Sequence, residues 1–127
     1  MGKRQGELTS EYIYNHFEVS KIFSSDLSRC VETIKPLAKK LSLDIITDSG
    51  LREISVGDWQ GRFISDIEIE SPNEYKVWKE NIGIAYFPGG ESYAECQKRI
   101  VKTMDGILKS ELGKTVVIAT HGGVLRA

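Results

Sequence analysis

"TVVIATHGGVLRA", Thr115 to Ala127, is the stretch on which the fold turns. Its first five residues are a continuous apolar run of the kind a parallel sheet buries on both faces. His121 follows the run after Thr120, Gly122 and Gly123 come next, and a new apolar segment begins. Strand, polar corner and helix start in succession belong to an α/β fold, where ligand sites lie beyond the carboxyl ends of parallel strands. His121 stands at such a corner, and the two glycines let the backbone approach a ligand closely. A histidine bonded within a tight turn is the plain alternative, and spacing alone leaves both open.

Working outward, "KIFSS" (Lys21 to Ser25) and "LDIIT" (Leu43 to Thr47) read as two further strands. Between them, Ser25 or Asp26 is placed to cap a helix with Leu27, Val31, Ile34, Ala38 and Leu41 at helical spacing. Pro36 lacks an amide donor and predicts a kink or early break there. Upstream, Thr9 or Ser10 can cap a short helix through "EYIYNHFE". Downstream, "LREISVGDWQGRF" is glycine-punctuated loop, and "SPNEYKVWKEN" is a helix with Pro72 at its first position. "PGGES" (Pro88 to Ser92) is a turn and helix start. Tyr93, Ile100, Met104, Ile107, Leu108 and Leu112 then give an amphipathic helix ended by Gly113. Three strands are few to cover a run built to be sandwiched.

Composition narrows the function classes. The 127 residues suit one domain with a single core. Seventeen basic against eighteen acidic residues leave a formal charge of -1, which offers no electrostatic footprint for nucleic acid or an anionic membrane. No apolar run approaches the ~20 residues that span a bilayer. "MGKRQGELTS" has no apolar segment behind its basic residues, so a cytoplasmic location is expected. Cys30 and Cys96 are far apart, outside any CxxC pair, and read as small core fillers. With two histidines they make no zinc spacing, so neither metal nor cofactor is expected.

Four places could carry chemistry. Arg29, in the first turn of its helix, combines a guanidinium with unpartnered amides and suits phosphate or carboxylate; pairing with Asp26 or Glu32 is the plainer reading. His121 is the second. Glu53 of "LREIS" is, unaided, a solvated loop charge. Glu91 and Ser92 of "PGGES" most simply start a helix. His16, on an aromatic-polar helix, reads as structural or exposed.

Taken together, "IFSSDLSRCVETIKPLAKKL", "LREISVGDWQG", "PGGES" and "VVIATHGGVLRA" resemble, in order and rough spacing, the histidine phosphatase (phosphoglycerate mutase-like) superfamily, and most of all its small bacterial phosphatases. The resemblance implies a three-layer α/β/α sheet and a metal-independent phosphoryl transfer. In that family a histidine of an Arg-His-Gly motif attacks phosphorus, a second histidine and arginines hold the phosphoryl oxygens, and an acid exchanges the proton. Carried over, Arg29 and His121 bind phosphate, Glu53 is the acid, and Gln5, Gly6, Gly122 and Gly123 lie near the substrate. "PGGES" and the short "VGDWQGRF" resemble the phosphatase branch, with phosphoglycerate mutase as the nearest rival.

The sequence contains no Arg-His-Gly, and His16 has neither the arginine before it nor the glycine after it. The resemblance therefore implies one domain over residues 1–127, short at both ends and itself inactive for lack of the nucleophile. It also implies that the absent first strand belongs between "KIFSS" and "TVVIA". Three arrangements follow: a fragment of a longer product, a sheet completed by a homodimer or strand exchange, or direct pairing of the two strands in a catalytically dead relative. The partner expected is a phosphorylated small molecule or phosphate. A binding module that keeps the anion pocket without the nucleophile is the alternative in another class, and a remnant without function the blandest.

Overall fold

Three strands, β1 (Val19–Ser24), β2 (Ile45–Thr47) and β3 (Thr115–Ala119), form a parallel sheet in the order β2-β1-β3 in the computed structural model, which describes residues 2–127. Side-chain alternation along the strands sets the layers. Ile22 and its register partner Val117 point to one face and pack with Ile34, Leu37 and Ala38 of α2 (Ser28–Leu41). Phe23 and its partner Ile118 point to the other, where Cys96, Ile100 and Ile107 of α5 (Tyr93–Ser110) meet them. The result is helices on both faces of the sheet, with α1 (Gly2–His16) laid on α2.

The expected gap between "KIFSS" and "TVVIA" does not exist. β1 and β3 pair directly from Val19 opposite Thr115 to Ser24 opposite Ala119, with one irregularity between Val19 and Lys21. The ladder satisfies the facing edges of both strands, so no strand is needed between them. Direct pairing is the strand arrangement named in the third expectation. β3 is also less covered than its composition predicts: Val116 to Ala119 are only half-buried. Its outer edge has no strand neighbour among the described residues.

The helices depart from expectation at their ends. α1 begins at Gly2, which places Thr9 and Ser10 inside it rather than at its cap. Gly6 and Ser10, one turn apart, are its buried residues. A Cβ on Gly6 would come within 2.9 Å of the Thr33 carbonyl oxygen, so the glycine sets how closely α1 rests on α2. α2 is capped by Leu27 with no side-chain bond. Ser25 instead accepts from the Leu27 amide at 3.3 Å. Asp26 turns away to Arg52. Pro36 does not break the helix; the carbonyl it leaves unpaired belongs to exposed Glu32, where water can reach it.

Beyond the loop lie α3 (Ile64–Glu70), which the residue pattern did not announce, and α4 (Pro72–Glu80), which starts at the proline as predicted. Ser92 caps α5 and exchanges bonds with Glu95 in a capping box. Leu108 and Leu112, read as part of its apolar face, are 54% and 79% exposed. Cys96, fully buried, belongs to that face instead. α5 stops at Ser110, and Gly113 takes a positive φ in the turn that follows. A last helix, α6 (Gly122–Arg126), starts directly after His121. Among the described residues no helix is long and apolar enough to cross a membrane.

Candidate active site

β1 and β3 end level, so their carboxyl ends bring Ser25 and His121 to one corner. The Ser25 amide donates to the Ala119 carbonyl at 2.8 Å, extending the ladder one residue past the strand. The His121 ring is buried there. Its Nε2 lies 2.9 Å from Ser25 Oγ and 3.4 Å from Cys30 Sγ, and its Nδ1 lies 3.3 Å from Arg29 Nε. A guanidinium can only donate, so Nδ1 accepts and the ring proton resides on Nε2, facing Ser25. Burial pushes the His121 pKa below the usual histidine range. The Arg29 charge pushes the same way, and Glu53 opposes both in part. His121 is therefore a neutral imidazole at pH 7.

Arg29 reaches this corner from the first turn of α2. Neither plain partner takes it. Asp26 binds the Arg52 guanidinium through both oxygens, at 2.7 and 2.6 Å, and that bond holds the Asp26 carboxyl below its ordinary pKa. Glu32 faces Lys35 at 3.5 Å. Among the described residues Arg29 has no acidic partner, and its guanidinium stays exposed beside His121. An exposed cation with its position fixed by a ring nitrogen is suited to hold an anion.

Glu53 arrives from the loop. Its Oε1 accepts from its neighbour's amide, Ile54 N–H, at 2.9 Å, and its Oε2 accepts from Gly123 N–H at 3.3 Å. A Cβ on Gly123 would sit 2.3 Å from Glu53 Oε1. Gly123 thus admits the carboxylate to the corner, whereas a Cβ on Gly122 would meet nothing within 4 Å. Arg29 thus touches the His121 ring, and Glu53 binds the amide two residues beyond it. Gln5 is exposed on α1, and Gly6 faces Thr33 of α2, one turn after Arg29.

A side-chain clamp keeps the Glu53 loop in place. Arg99 of α5 grips Glu91 through Nε to Oε1 at 2.7 Å and Nη2 to Oε2 at 2.9 Å. Its Nη1 donates to the carbonyls of Gly50 and Arg52 on either side of Leu51. Ser55 N–H donates to Glu91 Oε2 at 3.0 Å, and Glu91 N–H returns a bond to the Ser55 carbonyl at 2.8 Å. The Arg99 bond lowers the Glu91 carboxyl pKa. Glu91 is therefore a tie between two loops rather than the helix-start residue expected of it. Thr120 Oγ1 adds a bond to the Leu51 carbonyl at 2.9 Å, linking the loop to the end of β3.

Two partners of His121 were not foreseen from the residues. The sequence pattern suggests only a cap for Ser25 and a core filler for Cys30. Cys30 is a free, buried cysteine, as is Cys96, but it also borders the imidazole and reaches the Thr120 carbonyl at 3.5 Å. Burial pushes its thiol pKa up, with Arg29 pulling more weakly the other way. The available signal was position: Cys30 follows Arg29 on a helix whose inner face carries Ile34 and Leu37. Among the described residues no group of three or more histidine, cysteine or acidic side chains could hold a metal ion.

Comparison with known proteins bears on the family and the fold. Phosphoglycerate mutase-like protein 4 of Arabidopsis thaliana is 33% identical over 128 residues, covering 99% of this chain and 56% of the plant protein. The structure of Bacillus stearothermophilus YhfR superposes with a TM-score of 0.89 at 26% identity, over 97% of this chain and 60% of that one. A mycobacterial glucosyl-3-phosphoglycerate phosphatase solved with VO3 gives 0.84 at 29% identity, over 97% and 62%. The chain thus spans about 60% of the length of these proteins. The family model for the histidine phosphatase superfamily, branch 1, matches residues 1–127. This chain belongs to that superfamily.

Proposed function

We propose that Arg29, His121 and Glu53 form the phosphate-holding half of a phosphomonoesterase that works through a phosphohistidine. The observation that carries the reading is the Arg29 guanidinium, without an acidic partner, 3.3 Å from a buried neutral imidazole, with the Glu53 carboxylate on the Gly123 amide two residues past that ring. Arg29 binds the phosphoryl oxygens from the rim. As Arg29 turns its Nε–H from His121 Nδ1 to the phosphoryl oxygens, the freed Nδ1 takes a proton from solvent and donates it to the same group. Glu53 passes a proton to the leaving alcohol oxygen as the phosphorus–oxygen bond breaks, and takes one from the water that later attacks. A relative of the same fold solved in complex with VO3 supports an oxyanion ligand for this chain.

The attacking imidazole is not His16. That ring stacks on Tyr12 with centroids 4.1 Å apart, three residues before β1 begins. Ser25 lies just past the far end of that six-residue strand, roughly 20 Å away at ~3.3 Å per residue. A strand laid on the outer edge of β3 would bring a nucleophile to the corner, and the half-buried Val116 to Ala119 favour such a neighbour. The 127 residues alone then bind phosphate but do not turn over nitrophenyl phosphate. A domain of residues 1–127, short of a strand, is the same proposal stated for the fold.

Calorimetry with phosphate and vanadate tests this. Arg29→Ala should weaken both by roughly 10- to 100-fold, the worth of one charge-assisted contact. No heat from either anion would remove the anion site. Vigorous turnover by the chain alone, abolished in His121→Ala, would make His121 the nucleophile and overturn the assignment of roles. A second reading, a phosphate-binding module without catalysis, is favoured by the absence of a second imidazole among the neighbours of His121. Catalysis that appears once a histidine-bearing strand is supplied would exclude it. Release of phosphate without isomerisation of a phosphoglycerate would separate phosphatase from mutase.

A further inference from the structure

Glu53 and Gly123 belong to a second feature as well as to the phosphate corner. They form one side of a hollow of about 300 Å³ whose opposite side is aromatic: Trp59, Trp78, Phe87 and Tyr93. The rings hold each other edge to face. Trp59 meets Phe87 at 5.2 Å and 78°, and Trp78 at 6.2 Å and 83°. Such interlocked rings make a stiff wall. Larger hollows of about 600 and 760 Å³ run along α5, and neither touches Arg29, His121 or Glu53.

The geometry points to this hollow as the seat of the alcohol half of the phosphomonoester, selecting a leaving group that is aromatic or bulky and apolar. The inference rests on the proposed phosphate site, and it follows from three observations. First, position: Glu53, the acid that must reach the leaving oxygen, stands in the hollow and in the corner at once, so whatever the oxygen carries extends into the aromatic side. Second, charge: apart from Glu53, the charged group at the hollow is Arg62, and Arg62 is already paired with Glu70. A leaving group with its own carboxylate or second phosphate would find no free cation there. Third, the mouth: Ile64 lines the hollow while 49% exposed, an apolar side chain waiting for cover. The volume lies at the small end of ligand pockets, ~300–1,000 Å³, and suits one or two rings.

Non-hydrolysable phosphonates test this on the chain as it stands. Methylphosphonate reports the anion site alone, 1-naphthylmethylphosphonate adds the rings, and the phosphonate analogue of phosphoserine adds charge instead. By calorimetry the naphthyl compound should bind at least about tenfold tighter than methylphosphonate, from the apolar area covered. The phosphoserine analogue should gain less than about threefold. The chain's two tryptophans, Trp59 and Trp78, both line the hollow, so both indole N–H signals should shift with the naphthyl compound and stay still with methylphosphonate.

Ile64→Ser at the exposed mouth and Trp78→Ala in the wall should each remove most of the tenfold gain and leave methylphosphonate binding unchanged. Equal affinity for methyl and naphthyl compounds would overturn the specificity and leave the anion site intact. A naphthyl gain that survives both substitutions would place the rings elsewhere and also overturn it. Failure of every phosphonate to bind would remove the anion site, and this inference with it.

Discussion

The two halves of the candidate site are held by different means. At the strand ends, Ser25 and His121 are set by a backbone ladder that continues past the sheet, and Arg29 by the first turn of a helix. In the loop, Glu53 has no regular element behind it. Its position depends on one arginine, one glutamate and two backbones pressed together. A ladder spreads its restraint over many equivalent bonds, whereas a clamp concentrates it in a few side chains. The two halves should therefore fail differently: substitutions in the loop should cost stability before they cost anion affinity, and those in the corner the reverse.

The largest expected effect tests how tightly the loop is pressed. Gly57 has φ +51°, and a Cβ there would stand 2.3 Å from the Pro88 carbonyl oxygen; on Gly90 it would stand 2.2 Å from that of Ser55. Both obstacles are backbone, which cannot rotate aside. Gly57→Ala should destabilise the chain by roughly 2–4 kcal/mol, combining an unfavourable φ with overpacking. Urea unfolding measures it, and an unchanged midpoint would show that the loops do not press together.

Next comes Arg99→Met, which leaves Glu91 partly buried without its cation. A loss of about 1–3 kcal/mol is expected from the stranded carboxylate. Phosphate affinity should move less than about threefold, because His121 is held by the strand ends and Arg29 by α2, not by the clamp. A large fall in affinity with little change in stability would reverse the comparison between the halves.

What the residues disclosed follows the same division. Pro72 announced α4, and the helix-start residues of "PGGES" announced α5, because those signals act within one turn of chain. The direct pairing of β1 with β3 was not readable, since nothing in "KIFSS" or "TVVIA" specifies a neighbour some ninety residues distant. The half-exposure of Val116 to Ala119 was missed for the same reason: burial of a strand depends on what lies beside it. Leu108 and Leu112 satisfied a helical period yet face solvent, one on α5 and one past its end. At the site, Arg29, His121 and Glu53 were legible through their motifs together, not from spacing alone. The partnership of Ser25 and Cys30 with His121 needed the register of two strands and was visible only in three dimensions.

The smallest expected effect separates the corner from the ion-paired carboxylates Asp26, Glu91 and Glu111. Folded, His121 has a pKa below its ordinary value of about 6.5, while in the unfolded chain it titrates near 6.5. As pH falls below 6.5 the unfolded chain takes the proton first, so stability present above that pH declines, at no more than about 1.4 kcal/mol per unit. Asp26, Glu91 and Glu111 have lowered pKa values, so their contributions are lost only in more acidic solution. Between pH 7.5 and 5.5 the melting temperature should therefore fall in the native chain and fall less in His121→Gln. Saturating phosphate should shrink the decline, because a bound dianion beside Nδ1 favours the protonated ring and raises its pKa in the folded state. If His121→Gln leaves the slope unchanged, the ring is not the neutral acceptor of Arg29 that its burial and its 3.3 Å contact imply.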